Sequence, residues 1–373
     1  VAHGSGADVT ESKSVKRILI LWADDASPNL GVRVLGRGTA ALANRVWPEA
    51  EIVYQNYGHR APELPFGRLR SLLKERVTGR LGMQPWLAGF DLAIDTRSGD
   101  SFADIYGLPR LATMGAVAEL VSQAGVPIAL GPQTIGPFTT RRGVMLARRS
   151  LARAGTIMAR DPDSATYSAR LGHPVDVLTT DVVFALPSPV PGVSRDVILN
   201  ISGLLWNPNP HVESSAYREA IRSLHEALVA AGRTVTFLAH VLESDNPDND
   251  VPAIHDFVSV HAPDAEVLIP SSLDDVRSAV FGASVVIASR MHACLNSLSV
   301  GTPAIPLAYS RKFEPLLRDL GWEHTVDLRT NTEPAAAVMK LVAAPSLERD
   351  VPEVIRRAHA TLLLAEDALR DLA

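Results

Sequence analysis

The stretch 285–317, VVIASRMHACLNSLSVGTPAIPLAYSRKFEPLL, constrains the fold more than any other part of the chain. It opens with an apolar, β-branched run at 285–288, the pattern of a buried strand. Met291, Cys294, Leu295 and Leu298 then recur at helical spacing, and Gly301 and Pro303 stop that helix. A second strand follows at 303–309. Strand, helix and strand in this succession make a βαβ unit of an α/β sheet, and such sheets bind ligands at the carboxyl ends of their strands. Ser289, Arg290 and His292 fall at that edge. Ser289 reads as the N-cap of the helix, where backbone N–H groups and the positive end of the dipole meet a guanidinium and an imidazole. Asn296, one turn on, shares a face with His292 opposite the apolar stripe. The next strand brings Tyr309, Ser310, Arg311 and Lys312 to the same edge. The pattern predicts a cationic pocket for a small anion. The plainer alternative is a buried βαβ unit in which Arg290 and His292 cap a helix and pair with a carboxylate. Convergence of several cations on one edge favours the pocket for Arg290 and His292. Arg311 and Lys312 fit either the pocket or a solvated helix start.

The 373 residues suffice for two domains with full cores. A net charge of −5 gives no general affinity for polyanions, which argues against nucleic acid as a partner. The single cysteine, Cys294, rules out an internal disulfide and a Cys-rich metal site, and its place on the apolar stripe points to core packing. His240 lies beside an acidic loop, 243–250, but at no known metal-ligand spacing, so no metal is expected. No apolar run approaches the roughly 20 residues of a membrane span. The polar segment 1–15 has no signal-peptide core and is expected to be disordered, with the cytoplasm as the default compartment.

Along the chain, strands are expected at 17–23, 51–57, 91–96, 127–130, 156–159 and 175–178, with helices at 31–46, 66–82, 108–124, 141–154 and 162–171. The string GVRVLGRG in the first helix lacks the lysine and hydroxyl of a Walker loop and the spacing of a dinucleotide loop. It reads as a turn lining an interdomain cleft. Helix 66–82 is strongly basic, which fits a solvated face or, more sharply, contact with an anionic headgroup or lipid-linked acceptor. After the third strand comes RSGDSFADIYG, which sets Gly99, Asp100, Ser101 and Asp104 on a loop at the carboxyl edge. Carboxylates beside hydroxyls suit sugar recognition or proton abstraction; an Asx-turn that caps a helix is the alternative. Gln133 and Thr134 extend polar groups from the turn GPQTIGPF. Arg160 reaches the edge after the fifth strand, either to bind an anion or to pair with Asp161 or Asp163. Beyond a Pro-rich linker at 187–194, strands at 197–201, 234–241, 266–269, 285–288 and 304–309 and a helix at 217–231 begin the pattern again. A last helix, 351–372, carries an apolar stripe of Ile355, Ala358, Leu362 and Leu369 suited to packing back across the first domain. The prediction is two doubly wound, Rossmann-like α/β domains, 16–186 and 195–350, facing across a cleft, with a C-terminal helix at 351–373.

Three strings carry a resemblance. SRMHACLNSLSVGTPAIPLAYSRKFEPLL is similar to the C-terminal signature of the polysaccharide pyruvyl transferase family: Arg-x-His opening a helix, a small residue then Gly-x-Pro, a strand, and a Lys before the next helix. GPQTIGPF at 131–138 and ARDPDSATYSARLG at 159–172 agree with it, and the likeness runs from about Arg17 onward. It implies a GT-B-like domain pair. It also implies transfer of a pyruvyl group from phosphoenolpyruvate to two hydroxyls of a sugar, in a glycan or lipid-linked glycan precursor, to form a cyclic ketal. Phosphoenolpyruvate is then a co-substrate, no further cofactor is implied, and the inner face of the membrane is a plausible place of work. In that frame His292 is the candidate acid and Asp100 the candidate base. Arg290, Arg160 and Lys312, with Ser289 and Asn296, hold the donor, while Gly99, Ser101, Asp104 and Gln133 face the acceptor. The loop at 97–107 stands for the family's Gly-rich loop, with Ser-Gly-Asp replacing a run of glycines, and Val32 stands where the family often has an Asp. Two alternatives remain in view. A nucleotide-sugar glycosyltransferase of the same fold would need a carboxylate for the ribose, and none is convincingly placed after Pro303. A non-catalytic carbohydrate-binding partner would have no use for Arg290 and His292.

Overall fold

The computed structural model describes residues 15–57, 64–242 and 248–372. Residues 1–14 of the expected disordered segment and most of the acidic loop lie outside the described residues, and Val15, expected to be disordered, is buried in the core. Among the described residues, twelve strands form two six-stranded sheets, each parallel throughout. The first holds β1 (Arg17–Leu21), β2 (Glu51–Gln55), β3 (Leu92–Asp95), β4 (Ile128–Gln133), β5 (Thr156–Ala159) and β6 (Val177–Leu178), in the order β2-β1-β3-β4-β5-β6. The second holds β7 (Arg195–Asn200), β8 (Val235–Leu238), β9 (Val267–Leu268), β10 (Ala283–Ala288), β11 (Ala304–Ala308) and β12 (Val326–Asp327), in the order β12-β11-β10-β7-β8-β9. Helices cover both faces, so central strands are apolar without alternation: Ile18 to Leu21 and Val286 to Ala288 have no exposed surface. The strand order reverses beside β1 and β3 in one sheet and beside β7 and β10 in the other. Crevices open at such points, beyond the carboxyl ends of those strands.

Two helices tie the halves together. Helix Leu30–Val46 follows β1, and its Arg33 donates to the Ser271 carbonyl (2.9 Å) while Arg37 pairs with Asp274 (2.9 Å). Just before it, Asn29 forms a backbone bridge with Val241. Helix Val351–Leu372 buries Val354, Ala358, Leu362, Ala365 and Leu369. It packs on β5, β6 and residues 182–185, where Thr179 donates to the Thr361 carbonyl (2.9 Å) and Arg45 pairs with Glu366 (3.3 Å). The buried stripe runs from Val351 through Val354; the predicted Ile355 lies one position round the helix and is only partly covered.

Several elements depart from expectation. The basic helix is two, Leu69–Thr78 and Met83–Leu87, separated by left-handed Gly79 and Gly82. Arg68, Arg70, Lys74, Arg76 and Arg80 are all exposed there, as are Leu73 and Val77. Helices Asp250–His261, Leu273–Phe281 and Pro334–Val342 and strand β12 were not anticipated. Cys294 is buried, its thiol directed at the Ala288 carbonyl, and burial pushes its pKa up.

Candidate active site

The β10 crossover supplies both a floor and a reactive edge. Ser289 is not the cap of helix Met291–Ser299; Arg290 occupies that position, without a side-chain capping bond. The Ser289 hydroxyl is buried against the Tyr217 hydroxyl (2.8 Å), which accepts the Ser202 N–H (2.9 Å). Arg290 donates through Nε (3.1 Å) and Nη2 (2.6 Å) to the Asp250 carboxylate, and its Nη1 lies 2.7 Å from Asp248. Asp250 has no exposed surface, and it also accepts the N–H groups of Gly203 (2.9 Å), His240 (3.0 Å) and Val241 (3.0 Å). That carboxylate therefore binds the loops after β7, β8 and β10 into one block. The sequence reading gave Arg290 to the ligand; the structure commits its guanidinium to protein carboxylates. Asn296 is likewise buried, accepting from Arg277 (3.1 Å) and donating to the His292 carbonyl (2.8 Å), with its amide 3.4 Å from His240 Nε2. Ser289, Arg290 and Asn296 thus form the floor of the site.

Above them, His292 faces the first half of the chain. Its Nε2 lies 3.4 Å from Asp181 Oδ2, longer than a formed hydrogen bond. Arg160 donates to the same carboxylate at 2.8 Å and to the Thr134 hydroxyl at 3.0 Å. Burial would raise the Asp181 carboxyl, but His292 and Arg160 together hold it well below the usual carboxylate range. Helix Leu30–Val46 closes over the imidazole through Gly31, where an added Cβ would sit 2.9 Å from His292 Nδ1. The predicted partners of Arg160, Asp161 and Asp163, are not its partners: Asp161 caps helix Pro162–Arg170 by accepting the Ser164 N–H (2.8 Å) and hydroxyl (2.7 Å).

A second pair crosses between the halves. Lys312 Nζ lies 3.0 Å from Asp100, whose carboxylate also accepts the Tyr106 hydroxyl (2.8 Å). Burial works to raise the Asp100 pKa, yet Lys312 and Arg160 bring it down to about 2. Burial also works to lower the Lys312 pKa, and Asp100 reverses this and raises it. Arg311 donates to the Gly136 carbonyl (3.0 Å), so both basic residues reach across the cleft, Lys312 partly buried and Arg311 still exposed. A small pocket between Thr134 to Gly136 and Arg311 and Lys312 opens here.

The loop after β3 has an unusual backbone. Arg97 (φ 47°), Ser98 (φ 51°) and Gly99 (φ 79°) are left-handed in succession. Two of the three are not glycine, a cost that persists only where the surroundings hold the loop. The Gly99 carbonyl accepts the Thr134 N–H (2.8 Å), and a Cβ there would lie 2.8 Å from Leu35. Ser101 is buried, as is Gln133, and neither amide atom of Gln133 has a partner among the described residues. Asp104 accepts the N–H groups of Thr139 (2.8 Å) and Thr140 (2.7 Å), anchoring the turn before helix Arg141–Leu151. Thr140, not Asp104, is the N-cap of that helix, so the role of Asp104 is neither the expected Asx-turn nor a cap but a long-range anchor of the turn.

The sequence reading missed Asp181, Asp250, Tyr106 and the role of His240. His240 is buried, and burial, helped by His292, pushes its pKa down to about 3, so it stays neutral beside Asn296. Only Asp250 left a usable signal, as an acidic residue opening an amphipathic run.

The depressed carboxylates predict acid sensitivity. Asp100 titrates near 3.9 when unfolded and at about 2 when folded, so its stabilisation is complete above about pH 4 and is lost as pH falls through 2. Thermal unfolding followed from pH 5 to pH 2 should show the midpoint falling less steeply in Asp100→Asn than in the wild type. Identical slopes would mean that the Asp100–Lys312 pair contributes nothing.

Two parallel six-stranded sheets facing each other at their carboxyl edges define a GT-B-like fold. Residues 33–311 match the model of the polysaccharide pyruvyl transferase family, and the chain belongs to that family. Among solved structures, UDP-GlcNAc 2-epimerase from Neisseria meningitidis bound to UDP-GlcNAc is similar at 10% identity and a TM-score of 0.59, over 95% of this chain and 99% of that one. Anabaena Alr3699/HepE in complex with UDP is similar at 9% identity and a TM-score of 0.55, over 95% and 98%. At such identities the likeness concerns the fold alone. No helix among the described residues is long and apolar enough to cross a membrane.

Proposed function

We propose that this chain transfers the pyruvyl group of phosphoenolpyruvate onto two hydroxyls of one sugar in a glycan or lipid-linked glycan precursor, forming a cyclic ketal. The observation that carries the reading, beside the family, is the meeting of Lys312, Arg160 and His292 in one cleft, each against a carboxylate, Asp100 or Asp181. The donor is a compact trianion, and cations beside a helix N-terminus suit it. Its phosphate and carboxylate would take over partners that Asp100 and Asp181 now hold.

The chemistry follows from the donor's enol phosphate. A proton from His292 adds to the methylene carbon and leaves an oxocarbenium at the central carbon. One sugar hydroxyl adds there and gives up its proton. The C–O bond to phosphate breaks, phosphate departs with the electron pair, and the second hydroxyl closes the ring with loss of its own proton. Asp100 is the base this geometry favours. While paired with Lys312 it is a poor proton acceptor, and a donor phosphate that engages Lys312 makes it a better one. Asp181 orients the imidazole, and the Arg290–Asp250 block holds the β10 loop in place. No cofactor beyond phosphoenolpyruvate enters this scheme. The test is incubation with phosphoenolpyruvate and a panel of glycans in deuterium oxide. The expected result is phosphate release with a ketal whose methyl group carries one deuterium. Phosphate release with no ketal, or a ketal without deuterium, would overturn it.

A further inference from the structure

At the strand-order reversal of the first sheet, the carboxyl ends of β1 and β3 are followed by Trp22 and Arg97, and β2 leads to Tyr57. These side chains meet. The rings of Trp22 and Tyr57 lie 4.5 Å apart, and the Arg110 guanidinium stacks on Tyr57 at 4.9 Å. Arg97 Nε lies 2.9 Å from Asp95, and both residues are fully buried. Trp22 is 1% exposed and, like Arg97, left-handed (φ 66°), a genuine outlier for so bulky a residue.

What sets the cluster apart is its unmet hydrogen bonding. Trp22 Nε1, the Tyr57 hydroxyl, Arg110 Nε and both Nη nitrogens of Arg97 are buried without a hydrogen-bond partner among the described residues, while Arg97 Nε is held by Asp95. Buried polar groups are normally satisfied, so such a concentration calls for an explanation. All of these atoms can donate, and the acceptor beside them, Asp95 Oδ2, is already taken by Arg97 Nε at 2.9 Å. Burial pushes the Tyr57 phenol up to about 12, which keeps its proton available for donation. Helix Leu108–Gln123 begins at the same place, with no side-chain cap, no acidic residue in its first turn, and Arg110 within that turn. A surplus of donors, two guanidinium groups and an uncapped helix start suit an oxygen-rich anion.

We propose that this cluster is a second anion subsite, holding a phosphate or carboxylate group carried by the sugar acceptor. The assignment to the acceptor rests on the pyruvyl-transfer reading; the anion subsite itself does not. None of its residues belongs to the donor cleft of Lys312, Arg160 and His292.

The test is calorimetric titration of the full chain, with and without phosphoenolpyruvate, using glucose 1-phosphate, glucuronate and glucose. The expected result is that at least one anionic sugar binds and glucose does not, and the tighter of the two anions identifies the group. Arg110→Met should weaken that binding about tenfold or more, the effect of losing a charge-assisted contact. Tyr57→Phe, which keeps the ring, should weaken it less, and Lys312→Met should leave it unchanged. Equal affinity for all three sugars, or wild-type affinity in Arg110→Met, would overturn the proposal. Were phosphoenolpyruvate not to bind while the Arg110 dependence held, the subsite would stand and the donor reading would fall.

Discussion

Arg290→Ala is expected to cost about 3–5 kcal/mol of folding stability, because it leaves the Asp250 carboxylate buried with only neutral donors around it. The loss should appear in urea unfolding without any ligand present. Arg290→Met combined with Asp250→Asn should recover much of it, since the isolated buried charge is then gone. Asp250 also gathers amides from the loops after β7 and β8 and ties them to Arg290 after β10, so the single variant should loosen the β10 edge that carries His292. A variant as stable as the wild type but weak for phosphoenolpyruvate would return Arg290 to the ligand clamp, where the sequence alone places it.

His292→Gln should keep nearly normal phosphoenolpyruvate affinity and lose turnover by about 10²–10⁴-fold, the usual worth of general acid catalysis. Arg160 and Lys312 remain to hold the donor, and Arg160 still pairs with Asp181 in the variant. The check is to measure the dissociation constant and single-turnover rate separately. Near-wild-type turnover would transfer the acid role elsewhere. Loss of donor binding would make His292 chiefly a phosphate ligand.

Strand runs such as RILIL and ASVVIA are legible because strands covered on both faces must be apolar throughout. The sheet edge is legible too, since a strand followed by a helix start has to deliver Arg160, His292 and Lys312 to it. The partners at that edge are not legible. Asp181 follows Arg160 by 21 positions, Asp250 precedes Arg290 by 40, and Asp100 precedes Lys312 by 212. Pairings over such separations leave no periodicity behind. Asn296 was misplaced for a different reason. Helical spacing puts it opposite its own apolar stripe, but helix Met291–Ser299 is covered on that side as well, by helices Leu30–Val46 and Leu273–Phe281 and residues 182–185. A polar face on a helix buried all round meets protein groups, here Arg277 and His240. The two-residue strands β6, β9 and β12 are too short for alternation to register.

The central claim is that the cleft between the two sheets recognises phosphoenolpyruvate through Lys312. Calorimetric titration of the wild type and of Lys312→Met with phosphoenolpyruvate and with UDP-GlcNAc tests it most directly. The account predicts saturable binding of phosphoenolpyruvate to the wild type, at least about tenfold weaker binding to Lys312→Met, and no binding of UDP-GlcNAc to either. Saturable binding of UDP-GlcNAc without any of phosphoenolpyruvate would contradict it.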